Sequence, residues 1–318
     1  MEQDKLIEKR KQALMNFFKN KGNILIYLPL LPILITGIII RLQNLNLLKD
    51  AETGKFIPLA LDPHVFMRYA EFIVENGYLF MNDPLRNAAV GFDLSGFTAL
   101  TSFFSAYLYE FLKLFNPGIT LNFVHVVVHP VLAFAVTLIF FYLLINRLFG
   151  WKIATLASFF LTILPTFLYR SMAGFADHDI LTMMFWFMTF YVFVIGWQSK
   201  RTWVSIVTGI IAGLLTGLHG LTGGNMKFVL VIIGGFALVE IFLNKFTKED
   251  FYQFTLWMFV SYPILALATA KYNGFSGLLL SVTSGIAMIA FVVGLIDMLV
   301  FKLDLFKKKK QLEQKLPR

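Results

Sequence analysis

Eight long apolar runs, joined by short segments that hold most of the charge, leave this chain few ways to fold. They lie at about 24–42, 122–146, 151–169, 180–197, 202–218, 227–244, 253–270 and 276–301. Apolar runs of roughly 18–25 residues are long enough to cross a bilayer as helices, and a helix satisfies its own backbone polar groups in lipid. Hydrophobic residues make up 58% of the chain and charged residues 15%, with a mean hydropathy of +0.71. A water-soluble fold of 318 residues would have to bury that surface. The absence of Cys excludes disulfides and thiolate metal sites. The 36 Phe residues suit lipid-facing and interhelical surfaces and carry no cofactor signal. A net charge of +9 invites a nucleic-acid reading, but the basic residues cluster between apolar runs, where topology determinants belong, so no nucleic-acid partner is expected.

Charge also sets the expected orientation. Lys5, Lys9, Arg10, Lys11, Lys19 and Lys21 place the N-terminus in the cytoplasm. A ninth stretch, 96–115, carries Ser95, Thr98, Thr101, Ser102, Ser105, Glu110 and Lys113 at or beside it. If it does not cross, Arg147 and Lys152, Lys200 and Arg201, Lys245 and Lys248, and Lys307 to Lys310 all fall inside. If it crosses, every later loop inverts. The expectation is therefore an interfacial amphipathic helix over 96–115 and an all-α polytopic bundle of about eight transmembrane helices. Both termini are inside, and residues 43–95 form a long first outer loop. The expected organisation is a basic tail over 1–23, a membrane domain over 24–301 and a Lys-rich tail over 302–318. The first apolar run is long enough to span and lacks a small-residue cleavage site, unlike a cleaved signal peptide.

Two outer loops hold the residues suited to chemistry. Leu61-Asp62-Pro63-His64-Val65-Phe66-Met67-Arg68 reads as a helix start with Asp62 as N-cap, Val65, Phe66, Tyr69, Phe72 and Ile73 at helical spacing, and Gly77 as the stop. It is either a capped surface helix or a carboxylate held rigidly at the membrane face. Arg170 through Asp179 form a ten-residue loop ending in Asp177-His178-Asp179. Two carboxylates two residues apart, at the start of an apolar span, repel each other near hydrocarbon. Capping and the helix dipole explain one of them. The pair fits a hard cation such as Mg²⁺ or Mn²⁺, which prefers oxygen ligands. Arg170 either snorkels to the interface or holds a phosphate or carboxylate. His125 and His129, four apart and followed by Pro130, favour a structural polar contact over a metal pair. His219 precedes a Gly-rich turn, and Glu240 and Asp297 lie near cytoplasmic ends. Gly209, Gly213 and Gly217 favour close helix packing.

The loops resemble those of the oligosaccharyltransferase catalytic subunit, most of all its archaeal and bacterial single-subunit members. Asp62 to Arg68 resembles the family's first-loop Asp motif, and Tyr169 to Asp179 resembles its second-loop motif of an Arg, a Gly and a D-x-D-like pair. Asn82-Asp83-Pro84-Leu85-Arg86 and Gly223-Gly224 are weaker echoes. The resemblance implies a GT-C-like glycosyltransferase fold in a multi-pass protein of a prokaryotic cell membrane. It implies transfer of an oligosaccharide from a polyprenyl or dolichyl (di)phosphate to asparagine of an acceptor polypeptide. Asp62 would bind Mn²⁺ or Mg²⁺ and orient the acceptor amide, and Asp177 would bind the metal. Asp179 would be a further ligand or orient the ligands, and Arg170 would position an acidic group or the diphosphate. Asp62, Arg170 and Asp179 are thus the expected catalytic residues, and Asp62, Asp177 and Asp179 the expected metal ligands.

Members of that family continue through further spans into a domain with a WWDYG-type motif, and a later loop supplies a glutamate; neither has a counterpart here. The expectation is an incomplete enzyme, with a second chain as a candidate source of the C-terminal domain. Two other readings stay open: a lipid-phosphate-sugar-dependent glycosyltransferase of the protein O-mannosyltransferase type, and an inactive membrane fragment or scaffold. A transporter is disfavoured by the lack of paired broken helices or repeats.

Overall fold

The structure, a computed structural model, describes residues 25–87 and 90–302. The basic tail expected at 1–23 lies outside them, as does all but Lys302 of the tail expected at 302–318. Twelve helices are numbered here in chain order among the described residues. They are α1 (Leu30–Leu42), α2 (Leu61–Asn76), α3 (Leu100–Lys113) and α4 (Leu121–Phe149). Then follow α5 (Trp151–Ile163), α6 (Pro165–Tyr169), α7 (His178–Trp197) and α8 (Thr202–Thr222). The last are α9 (Met226–Phe242), α10 (Lys248–Leu267), α11 (Gly274–Leu280) and α12 (Val282–Ile296). A two-stranded antiparallel pairing, Asn82–Asp83 (β1) with Phe92–Asp93 (β2), stands between α2 and α3.

Five of the expected spans are helices long and apolar enough to cross a membrane: Leu30–Leu48, Leu121–Phe149, His178–Trp197, Thr202–Thr222 and Val282–Val300. The other three stretches are helical but depart from that pattern. The run 151–169 is broken at Leu164, which is extended (ψ 117) because the ring of Pro165 disfavours a helical residue before it. Helix α9 has 17 residues. Helix α10 starts five residues before its expected span, at Lys248-Glu249-Asp250, where Thr247 and Asp250 form a reciprocal capping box. The run 276–301 is divided at Ser281 (ψ 133). Helix α3 has 14 residues, too few for the roughly 20 that a spanning helix needs. It packs on α2.

Helix α8 lies at the centre, against α7 and α10; α4 joins α7 to α5, and α9 packs on α12. The glycine stripe explains the closeness of α8 and α10. A methyl group at Gly209 would meet the Gln253 carbonyl oxygen at 2.6 Å, and one at Gly213 the Trp257 carbonyl oxygen at 2.8 Å. Trp257 donates from Nε1 to Thr216 Oγ1 at 2.9 Å across the same seam. One core gathers Met226, Leu230, Phe254 and Trp257, and a second gathers Phe134, Leu138, Leu181 and Phe185. The 61–68 and 169–179 motifs meet at one end of this bundle.

Candidate functional site

Helix α2 begins at Leu61, not at Asp62. Ala60 is the N-cap residue and makes no side-chain cap. Asp62 therefore sits in the first turn, where its charge favours the helix dipole while its carboxylate stays exposed. Pro63 falls within that turn, where a missing N–H costs nothing. Gly77 (φ +79) ends the helix in the left-handed conformation, its N–H on the Ile73 carbonyl.

Asp177 is the N-cap of α7, almost fully buried, and its Oδ1 accepts from the His178 backbone N–H at 2.6 Å. His178 Nδ1 lies 2.5 Å from the same oxygen. Asp179 follows in the first turn, partly exposed. Arg170 Nη1 stands 3.2 Å from Asp179 Oδ2 and 3.6 Å from Asp177 Oδ2. Its guanidinium lies 4.9 Å from the centre of the Phe175 ring. The pair of carboxylates is thus shared by one arginine.

The two loops converge. Asp62 and His178 line one cleft of about 280 Å³, with Arg86, Gly224 and Lys271. Phe66 packs edge-on against the His178 ring at 6.2 Å. Leu59 N–H donates to the Gly174 carbonyl at 2.9 Å, fastening the first loop to the second. Gly174 has φ +94, and a methyl group there would strike Leu59 Cγ at 2.7 Å, so both conformation and space require glycine. A second cleft, of about 310 Å³, is lined by Leu161, Leu164, Phe167 and Met183, with Arg170 and Asp179 among its polar lining residues.

Several supporting residues carry weak or no sequence signals. Arg41 in α1 is fully buried and donates from Nε to Ser171 Oγ at 2.8 Å, while its guanidinium stacks 3.3 Å from the Phe134 ring centre. Its carbonyl accepts the Ala173 N–H at 2.9 Å. An arginine at a span's end reads from sequence as a topology marker, which hides this role. Asp83, part of the weaker echo, is fully buried and accepts from Arg68 Nη1 at 3.0 Å, Tyr69 Oη at 2.7 Å and Leu85 N–H at 3.0 Å. Burial alone would raise its pKa; the bonds from Arg68, Tyr69 and Leu85 outweigh burial and hold it down at about 2. Arg86 lies over the Phe92 ring at 4.1 Å and faces the cleft. Burial lowers the Lys271 pKa, and Lys227 adds to the effect.

Of the expected donor set, Asp62 lines one cleft and Asp179 the other, while Asp177 is buried beside His178 and Arg170 and lines neither; all three offer the oxygen ligands that hard divalent cations take. Among the described residues no three His, Cys, Asp or Glu side chains converge closely enough to hold an ion as placed. Arg170 lies against Asp177 and Asp179 on the side where they approach each other.

The family described as "Oligosaccharyl transferase STT3, N-terminal" matches residues 18–312. Dolichyl-phosphooligosaccharide-protein glycotransferase 2 of Archaeoglobus fulgidus is 23% identical over 297 residues, covering 82% of this chain and 47% of that protein. Glycotransferase 3 of the same organism is 30% identical over 149 residues, covering 42% and 17%. The crystal structure of the Archaeoglobus fulgidus oligosaccharyltransferase in complex with Zn and sulfate shares the fold at a TM-score of 0.66 and 21% identity, over 87% of this chain and 36% of that one. The oligosaccharyltransferase AglB of that organism, in complex with an inhibitory peptide and a dolichol-phosphate, gives 0.66 and 19%, over 95% and 35%. The chain spans about half the length of the first of these relatives and about a third of the solved chains. With a family match over nearly its whole length, the chain belongs to the oligosaccharyl transferase STT3 family.

Proposed function

We propose that this chain forms the membrane part of an N-glycosylating oligosaccharyltransferase. It would receive an oligosaccharide on a polyprenyl or dolichyl (di)phosphate and take part in its transfer to asparagine of an acceptor polypeptide. The observation that carries this reading is the shared cleft of Asp62 and His178, which brings together two loops more than 100 residues apart. The names of the relatives support it: one is a dolichyl-phosphooligosaccharide-protein glycotransferase, and a solved neighbour binds a peptide and a dolichol-phosphate.

Asp62, Asp177 and Asp179 are the residues that would hold Mn²⁺ or Mg²⁺, with Arg170 moving off the carboxylates. When bound, such a cation stabilises negative charge on the departing lipid phosphate. Asp62, exposed at its cleft, accepts hydrogen bonds from the acceptor amide N–H groups, which raises the nucleophilicity of a poor nucleophile. Arg170 borders the apolar cleft at the point where a lipid chain would meet its phosphate, and a guanidinium suits phosphate oxygens. In this reading the loops at 43–95, 170–179, 219–226 and 271–275 face outside, both termini are cytoplasmic, and the membrane is a prokaryotic cell membrane. A partner chain supplying an acceptor-reading domain belongs to the same proposal.

The test is glycan transfer in liposomes containing the chain, lipid-linked oligosaccharide and an asparagine-containing peptide, with any partner subunit that co-purifies. Asp62→Ala and Asp177→Ala should each abolish transfer, and chelation of divalent metal should do so reversibly. Transfer unchanged in both variants contradicts the proposal.

A further inference from the structure

Helix α4 is not α-helical throughout. Between Leu121–Phe123 and His129–Phe149 it makes one π-helical turn, Val124–Val128, with the His129 N–H on the Val124 carbonyl. Such turns free backbone groups from the helix ladder and occur often at functional sites. The sequence gives one reason for a break here. An α-helix would bond the Val126 carbonyl to the N–H of residue 130, which is Pro130 and has none. That carbonyl accepts the Gly174 N–H instead, at 2.7 Å. Gly174 lies three residues before Asp177.

The same turn reaches the other loop. His125 Nε2 lies 2.9 Å from the carbonyl oxygen of Pro63, the residue after Asp62. Ser105 Oγ, from α3, lies 2.8 Å from His125 Nδ1 and 2.7 Å from His129 Nδ1. These contacts fix the hydrogens. A carbonyl only accepts, so His125 carries its proton on Nε2 and donates it to Pro63. Both imidazoles are buried with no carboxylate in contact, which favours their neutral forms. His125 Nδ1 is then an acceptor, so the Ser105 hydroxyl donates to it. The Ser105 oxygen accepts in turn from His129 Nδ1–H. His129 Nε2 is left as a bare acceptor, and it is a buried nitrogen without a partner among the described residues. The chain of donors runs one way: His129 to Ser105 to His125 to Pro63.

We propose that this π turn positions the acidic site, with His125 as the side chain that holds the first turn of α2 and the Val126 carbonyl as the group that holds the second loop. One turn of one helix thereby sets the separation of Asp62 from Asp177 and Asp179. The inference rests on reading those carboxylates as one site, but its first measurement does not need the metal. His125 acts through the backbone of Pro63 and is a positioning residue.

The chain has no native cysteine, so spin labels on Leu61→Cys, the first residue of α2, and Thr166→Cys in α6, which leads into the second loop, both exposed, report the separation of the two segments. The metal-free protein should give a narrow distance distribution by pulsed electron paramagnetic resonance. His125→Leu should broaden it, and His125→Gln, whose amide Nε2 donates from nearly the same place, should restore it. Pro130→Ala leaves the histidines intact but supplies an N–H that competes for the Val126 carbonyl, and should also broaden it. Mn²⁺ affinity should fall about tenfold in His125→Leu and return in His125→Gln, the loss typical when a group orienting a metal site is removed. Ring ¹⁵N shifts should show the Nε2–H form for His125 and the Nδ1–H form for His129. An unchanged distribution in both His125→Leu and Pro130→Ala overturns the proposal, as does the opposite tautomer at His125. A broadened distribution in a protein that binds no Mn²⁺ even as wild type would sustain the positioning role and reject the metal reading instead.

Discussion

Arg170 Nη1 lies 3.2 Å from Asp179 Oδ2, so the acidic pair of the 170–179 loop holds its own counter-charge in this structure. The guanidinium is about half exposed and also faces Asp177 at 3.6 Å. Such a partly solvated pair contributes little to stability. In the proposed site the arginine would compete with a divalent cation for the same carboxylates.

Arg170→Ala should therefore leave Mn²⁺ binding intact or tighter. If Arg170 meets the lipid phosphate, the same variant should raise the KM for lipid-linked donor by about tenfold, the scale of one charge-assisted contact. Titration with Mn²⁺ and donor kinetics separate the two effects. Loss of metal binding in Arg170→Ala would show that the arginine supports the site rather than guards it.

Asp83 offers a pH-dependent test outside the membrane spans. Its folded pKa, about 2, lies below the ordinary aspartate value of about 3.9. The sign follows: its contribution is complete above about pH 4 and is lost as pH falls towards about 2. Asp83→Asn should destabilise the first loop by about 2 kcal/mol at neutral pH, since it removes the charge from hydrogen bonds to Arg68 and Tyr69. Thermal unfolding in detergent should show that gap closing between pH 4 and 2. A gap constant with pH would mean that Asp83 does not ionise differently on folding.

The α8–α10 seam gives a packing test with an internal control. Gly209→Val places carbon against the Gln253 carbonyl and should cost at least about 2 kcal/mol. Gly235→Ala in α9 meets nothing within 4 Å, and should be neutral or stabilise by up to about 1 kcal/mol through helix propensity. Equal losses in both variants would contradict the close approach at Gly209.

Much of this architecture is legible in the residues. Apolar length marks the spans, and loop charge with parity leads to the reading of 96–115 as an interfacial helix; the structure gives that stretch a 14-residue helix packed on α2. Gly209, Gly213 and Gly217 announce their seam because four-residue spacing puts small residues on one helix face. Asp177-His178-Asp179 stands out because acid beside hydrocarbon is costly. Other features depend on partners that local pattern does not name. Leu164 and Ser281 break apolar runs that hydropathy alone joins. Asp62 reads as a cap because Asp before Pro usually starts a helix, yet the helix starts two residues earlier, with Ala60 as its N-cap, and leaves that carboxylate exposed. Arg41, Asp83 and His125 acquire their roles only when Ser171, Arg68 and Pro63 arrive from elsewhere in the chain.

The proposed function rests on one cation-binding acidic site built from the 61–68 and 170–179 segments. Its most direct test is Mn²⁺ binding to the purified chain in detergent, followed by electron paramagnetic resonance beside an Asp62→Asn/Asp177→Asn double variant. Saturable binding of one Mn²⁺ by the wild type, lost in the double variant, is the expected result. Binding that is absent from the wild type, or that persists unchanged in the variant, would contradict it.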